Sequence, residues 1–175
     1  MSSVEDLLAD PASVGVWTAV PEQSTIGFKC GSFWGIAPVK GRFGEFTGDG
    51  QITAAQTVFG RVDIKAMTVD TKNHKRDDHL RSADFFDVER FPELSVVVTG
   101  ADAAGDTVDL RARLTVKATT APVPLRANVR VLDDGRVRVT AQATIDRKDF
   151  GVDGNLLGMV VDTTTISADV VFRHS

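Results

Sequence analysis

Arg76-Asp77-Asp78-His79-Leu80-Arg81-Ser82-Ala83-Asp84-Phe85-Phe86-Asp87, running on to Phe91-Pro92, breaks the rhythm of the sequence around it. On both sides the chain alternates apolar and polar residues between turn signals, the pattern of β-strands. This stretch instead gathers acids, bases, a histidine and three of the ten phenylalanines into one short, non-alternating segment. Asn73 is placed to cap a short helix through about Arg81, and Ser82 to cap a second turn leading into Phe85-Phe86. Pro92 stops any helix. The stretch therefore reads as a helical insertion in an otherwise β chain.

Downstream the alternation is long and regular. Val108, Leu110, Ala112, Leu114 and Val116 share one face, as do Val123, Leu125, Ala127, Val129 and Val131. Asp133-Asp134-Gly135 reads as a hairpin turn into Val137, Val139, Ala141, Ala143 and Ile145. Thr164, Ile166, Ala168, Val170 and Phe172 supply a last strand, and Leu94 to Gly100 an earlier one. Upstream, Ile26, Phe28 and Cys30 lie on one face of a strand, and Val39 to Phe46 follows with glycines that suggest tight curvature. Gly48-Asp49-Gly50 reads as a turn. Val58 to Val69 comes next, with Val62, Ile64 and Ala66 on one side. At the N-terminus Ser3 and Asp6 suggest a capping box for a short helix presenting Val4, Leu7 and Leu8, ended by Asp10-Pro11.

Roughly eight strands with one apolar face each predict an all-β, antiparallel barrel or sandwich with a short helical insertion near residues 73–88. Residues 1–15 read as an extension and 16–175 as the β domain. Five alanines, at 112, 127, 141, 143 and 168, fall on the inward face. A barrel of this size is either packed solid or holds one small ligand, and the alternation fits both.

Composition removes several classes of function. The 175 residues carry a net charge of −4, with a pI near 5.3, and offer no global attraction for nucleic acid. Cys30 is the single cysteine, so neither an internal disulfide nor a zinc cluster is available. The N-terminus lacks a basic region followed by a long apolar run, and no segment approaches a membrane span, so the chain reads as cytoplasmic with no integral membrane segment. No G-x-S-x-G, P-loop or dinucleotide fingerprint occurs.

Five motifs in order resemble the YceI-like, polyisoprenoid-binding family. Gly41-Arg42-Phe43 with Phe46-Thr47-Gly48 looks like its early glycine-bounded strand. Arg76 to Asp87 looks like its most distinctive run, and Phe91-Pro92 matches the pair that follows it. Leu114-Thr115-Val116-Lys117-Ala118-Thr119-Thr120-Ala121-Pro122-Val123-Pro124-Leu125 and Ile145-Asp146-Arg147-Lys148-Asp149-Phe150-Gly151 resemble two later segments. Two departures stand out: Ser32-Phe33-Trp34 where the family often has a histidine, and Ala118 where it usually has glycine. The resemblance implies an extended, lipocalin-like barrel binding a long amphiphilic isoprenoid or quinone chain. It also implies homodimers and, for many members, a secreted or periplasmic location.

Candidate ligand contacts follow. Phe28, Trp34, Phe43, Phe46, Phe85, Phe86, Leu114 and Ile145 are read as lining residues, with plain core packing the rival for each. Arg76 is a candidate pyrophosphate contact, because guanidinium binds phosphate bidentately. His79, beside Asp77, Asp78 and Asp84, is either an acid–base group or part of a clasp tying the insertion to the barrel. No metal ligand set and no cofactor are expected, and catalysis is not. The alternatives are an enzyme acting on a lipid in the same cavity and a solid-core interaction module plugged by its N-terminal segment. The outward arginines at 111, 113, 126, 130, 136 and 138 read as a solvated wall with cross-strand ion pairs, or as contacts for anionic head groups.

Overall fold

A computed structural model describes residues 4–32, 39–152 and 160–175. Eleven strands are described: β1 (Gly15–Ala19), β2 (Thr25–Ser32), β3 (Val39–Phe43), β4 (Phe46–Ile52), β5 (Val58–Lys65), β6 (Val69–Asp70), β7 (Glu93–Ala104), β8 (Thr107–Val116), β9 (Thr119–Val131), β10 (Val137–Asp146) and β11 (Val160–His174). Every pairing among them is antiparallel. Two α-helices accompany them, α1 (Val4–Ala9) and α2 (His74–Arg81).

Eight strands run β1-β4-β5-β7-β8-β9-β10-β11, and β11 pairs back onto β1 to close a barrel. Closure removes the free edges that an open sheet of this size would expose. The 15-residue β11 makes this possible by pairing with β10 along one edge and sharing the other between two partners. Its end, Phe172–His174, pairs with β1, while Thr164–Asp169 pairs with β2. Strands β3 and β6 continue outward from β2 as a flap beside the main ring.

The inward phase read from the sequence is the observed one. Val108, Ala112, Leu114 and Val116 on β8, and Val123 and Ala127 on β9, are buried, whereas Asp109, Arg111, Arg126 and Arg130 are exposed. Three of the six outward arginines form the expected cross-strand ion pairs, Arg111 with Asp102, Arg126 with Asp109 at 3.1 Å and Arg138 with Asp169, while Arg136 pairs locally with Asp134 of the hairpin turn at 3.3 Å. Exposed pairs of this kind contribute about 0–1 kcal/mol each and serve mainly to keep the wall wet.

One local reading is corrected. Gly48-Asp49-Gly50 is not a turn but the middle of β4, paired with β5 on one side and, at Asp49 and Gly50, with β1 on the other. The chain reverses later, between Thr53 and Thr57, whose backbone and hydroxyl groups are bonded across the turn. Pairing on both sides holds a glycine-rich segment extended that would bend if left alone.

The insertion folds as its capping residues predict. The Asn73 side chain accepts the Arg76 N–H at 3.1 Å and starts α2. Ser82 ends it, its hydroxyl donating to the His79 carbonyl at 2.5 Å and its carbonyl accepting from Phe85 and Asp87. Leu80 and Phe85 then enter the core. At the opposite end α1 lies across the barrel, with Val4 and Leu8 buried in a second apolar cluster that includes Trp17, Ile52 and Val137. The Val4 N–H donates to the Gly105 carbonyl at 3.0 Å and fastens α1 to the β7–β8 turn. The two helices therefore sit at opposite ends of one barrel.

Candidate ligand-binding site

The barrel is not packed solid. A cavity of about 330 Å³ runs between the two helices, at the lower end of the ~300–1,000 Å³ typical of small-molecule sites. Its presence explains a pattern in the walls. Inward-phase Val62, Val96, Leu110, Leu125, Ile145 and Ile166 are only partly buried, because each borders open space rather than a facing side chain. Of the five inward alanines found in the sequence, Ala141 and Ala168 border this volume, whereas Ala112 and Ala127 are packed in the wall.

The α1 end of the cavity is bordered by Val4, Leu7, Leu8, Trp17, Ile52 and Val58. Trp17 is held there by its indole N–H, which donates to the Ser13 carbonyl at 2.9 Å, and by stacking on His174 with ring centroids 4.7 Å apart. The α2 end is bordered by phenylalanines. Phe28, Phe43 and Phe86 meet one another in tilted and edge-on contacts at centroid distances of 5.8–6.4 Å, geometries favoured by the ring quadrupole. Phe85, 2% exposed, lies beside them.

Six of the sequence-derived candidates border this cavity: Phe28, Phe43, Phe85, Phe86, Leu114 and Ile145. Phe46 does not; it is buried in the surrounding core, where it packs without facing the open volume. Trp34 lies outside the described residues. Arg76 and His79 are also off the cavity wall. The Arg76 guanidinium donates to the Thr71 hydroxyl at 2.9 Å and to the Thr71 carbonyl at 2.8 Å. Asp77 completes that arrangement, accepting the Thr71 N–H at 2.8 Å and the Thr71 hydroxyl at 2.5 Å. His79 bonds Asp84 at 2.9 Å and meets the edge of Phe85 at 5.0 Å. Arg81 reaches back to the carbonyls of Met67 and Val69. The charged residues of the signature stretch thus clasp the insertion to the segment before it.

A polar cluster that the sequence did not bring forward does border the cavity. Arg147, Cys30 and Thr164 are each at most 8% exposed and lie on the wall towards the α2 end. Cys30 Sγ and Thr164 Oγ1 are 3.2 Å apart. Arg147 donates to the Val152 carbonyl at 2.7 Å, and its guanidinium stands 5.8 Å from the centroid of the Phe85 ring. Burial pushes the Cys30 thiol above its ordinary value, against smaller opposing effects of the Thr164 bond and the Arg147 charge. A signal for Arg147 was present: it continues the inward series Val137, Val139, Ala141, Ala143, Ile145 by one more step of two.

No group of three or more potential metal ligands occurs among the described residues. No described helix is long and apolar enough to cross a membrane.

The family model for the YceI-like domain matches residues 17–172. The chain belongs to the YceI-like family. Curated relatives agree: this YceI-like chain is 34% identical to Protein YceI of Salmonella arizonae over 131 residues, covering 72% of this chain and 68% of the relative. Among solved structures, BcnA of Burkholderia cenocepacia superposes with a TM-score of 0.78 at 19% identity, covering 87% of this chain and 98% of BcnA. A polyisoprenoid binding domain from Saccharophagus degradans, implicated in plant cell wall breakdown, gives 0.76 at 17% identity, covering 91% and 98%. At those identities the superpositions establish the YceI-like barrel and nothing finer.

Proposed function

We propose that the barrel binds a long-chain amphiphilic lipid, of the polyisoprenoid or isoprenoid-quinone class, and stores or transfers it without converting it. The observation that carries this reading is the cavity itself, bordered mostly by apolar side chains from α1 to α2, with the buried Arg147–Cys30–Thr164 cluster near one end and Asp49, Gln51, Arg61 and Ser167 as its other polar neighbours. A hydrocarbon chain gains about 0.8 kcal/mol per buried methylene, so each enclosed isoprene unit contributes on the order of 3 kcal/mol before ordering costs. A largely apolar tube with a buried cation near one end suits a molecule with a head and a tail. The head lies towards Arg147 and Thr164, the tail towards α1. The name of the Saccharophagus degradans domain supports the choice of ligand class.

Two features favour binding over turnover. His79, the residue best suited to acid–base chemistry, is engaged with Asp84 off the cavity wall. Cys30 is buried with its thiol pushed towards the neutral form, which is the less nucleophilic one. The test is extraction of the purified protein into organic solvent followed by mass spectrometry. A co-purifying isoprenoid lipid is the expected result. A protein that carries no lipid and takes up none from a mixed prenol and quinone suspension overturns the reading.

A further inference from the structure

Strand glycines are locally unfavourable, because they lose the most conformational freedom and offer no side chain to pack. Most of those in this barrel have an evident cause. A Cβ on Gly27 would sit 2.6 Å from the Gly41 carbonyl oxygen, and one on Gly48 would sit 3.2 Å from the Ala19 Cβ. Gly41 is pressed by the Phe28 ring, Gly100 lies at a register shift between β7 and β8, and Gly15 has a φ of +130°. Gly50 and Gly60 have neither excuse. A Cβ on Gly50 meets nothing nearer than 3.6 Å, one on Gly60 nothing nearer than 3.4 Å, and neither glycine has a left-handed φ.

These two glycines are direct cross-strand partners, Gly50 on β4 opposite Gly60 on β5. Both occupy the inward phase of their strands, in series with Phe46, Gly48 and Ile52 and with Val58, Val62 and Ile64, and both border the cavity. Their neighbours in the same row are Trp17 on β1 and Val98 on β7. The result is a patch of bare backbone in the cavity wall, a bay, near the end closed by α1.

We propose that the Gly50–Gly60 bay receives the far end of the ligand's hydrocarbon chain and sets the longest chain that the cavity accepts. This rests on the lipid-binding reading above and adds to it a determinant of ligand length. The geometry supplies the argument. Where crowding and backbone conformation leave room for a side chain, what the paired glycines provide is the space itself. That space lies at the α1 end, away from Arg147 and in the row of Trp17 and Val98, where a tail and not a head would be accommodated; Asp49, Gln51 and Arg61 border the cavity there only from the outward phase of β4 and β5, with Arg61 paired to Asp63. α1 lies across the same end with Leu7 and Leu8, so a chain reaching it turns into the bay or stops.

The experiment grades the bay's volume against the ligand's length. Gly60→Ala, Gly60→Val and Gly60→Leu, made in the full chain, are titrated with farnesol, geranylgeraniol and longer all-trans prenols, read by tryptophan fluorescence. Circular dichroism and melting curves verify folding, and the alanine and valine variants carry the test if leucine is too large. Affinity for the shortest probe stays unchanged, while affinity for the longest bound probe falls with side-chain size, by about tenfold for leucine. A chain-length profile identical in all variants, or an equal loss at every length, overturns the bay. Wild-type protein that binds no prenol of any length overturns the lipid reading itself, and the bay with it.

Discussion

Replacing Asp77 by alanine tests whether the charged residues of the signature stretch hold the structure or serve the ligand. Asp77 is 5% exposed. Its Oδ1 accepts both the backbone N–H and the hydroxyl of Thr71, itself 5% exposed. Thr71 is also gripped by Arg76 through its hydroxyl and carbonyl oxygens. In Asp77→Ala two buried donors lose a charged acceptor, and each buried group left unsatisfied costs about 1–3 kcal/mol. The hydroxyl can rotate towards another acceptor but the N–H cannot, so the expected destabilisation is about 1–3 kcal/mol. Asp77→Asn keeps an acceptor oxygen and loses the charge, and falls between the variant and wild type. Urea unfolding, followed by tryptophan fluorescence and circular dichroism together, measures the difference. The double variant Asp77→Ala/Thr71→Val removes the stranded hydroxyl as well, and costs less than the two single changes added. In buffer without denaturant, where each variant remains folded, lipid content per folded protein stays at the wild-type level. A loss below about 1 kcal/mol for Asp77→Ala, or a folded variant emptied of lipid, refutes the clasp.

The remaining expectations concern pH. The Cys30 thiol is raised by burial, so the folded state keeps a proton that the unfolded state releases above the ordinary thiol value of about 8.5. Stability is therefore complete below that pH and declines as pH rises through it; Cys30→Ala flattens the decline in urea midpoints measured between neutral and alkaline pH, and an unchanged slope refutes it. Asp169 behaves in the opposite sense, held below the usual carboxylate range chiefly by its hydrogen bond to Arg138. Its contribution is present above about pH 4 and is lost as pH falls through the lowered value, but partial exposure keeps it below about 1 kcal/mol. Arg138→Ala should cost no more than that at neutral pH; a loss of several kcal/mol refutes the view of the outer wall as solvated pairs.

Some of this was readable from the chain and some was not, for identifiable reasons. The strands of the second half were legible because period-two alternation is a local property: Val123 to Val131 shows which side faces in without knowledge of the partners. The helix was legible because its caps, Asn73 and Ser82, are short-range devices. Gly48-Asp49-Gly50 misled because turn chemistry is also local, whereas the pairing that keeps it extended comes from residues far away in sequence. Whether the barrel is hollow could not be read, since Ala141 or Ala168 alternates identically whether its opposite wall is near or distant. Phe43 and Phe46 look equivalent as written; only the break between them, which puts Phe43 on β3 beside β2 and β6 and Phe46 on β4 beside β5, separates the one on the cavity from the one behind it.

The signature stretch acquires a second purpose once Arg147 is included. A buried guanidinium needs its charge and its donors answered, and part of that answer is the Val152 carbonyl and the face of Phe85. Phe85 also makes a T-shaped contact with His79, which Asp84 holds in place. A chain of contacts thus runs from the exposed carboxylate of Asp84 through His79 and Phe85 to the cation at the cavity wall. On the lipid-binding reading, these polar residues shape the head-group end without touching the ligand, by fixing the ring against which Arg147 rests. That accounts for a stretch rich in catalytic-looking side chains whose acids and bases stand off the cavity while its two adjacent phenylalanines, Phe85 and Phe86, both border it.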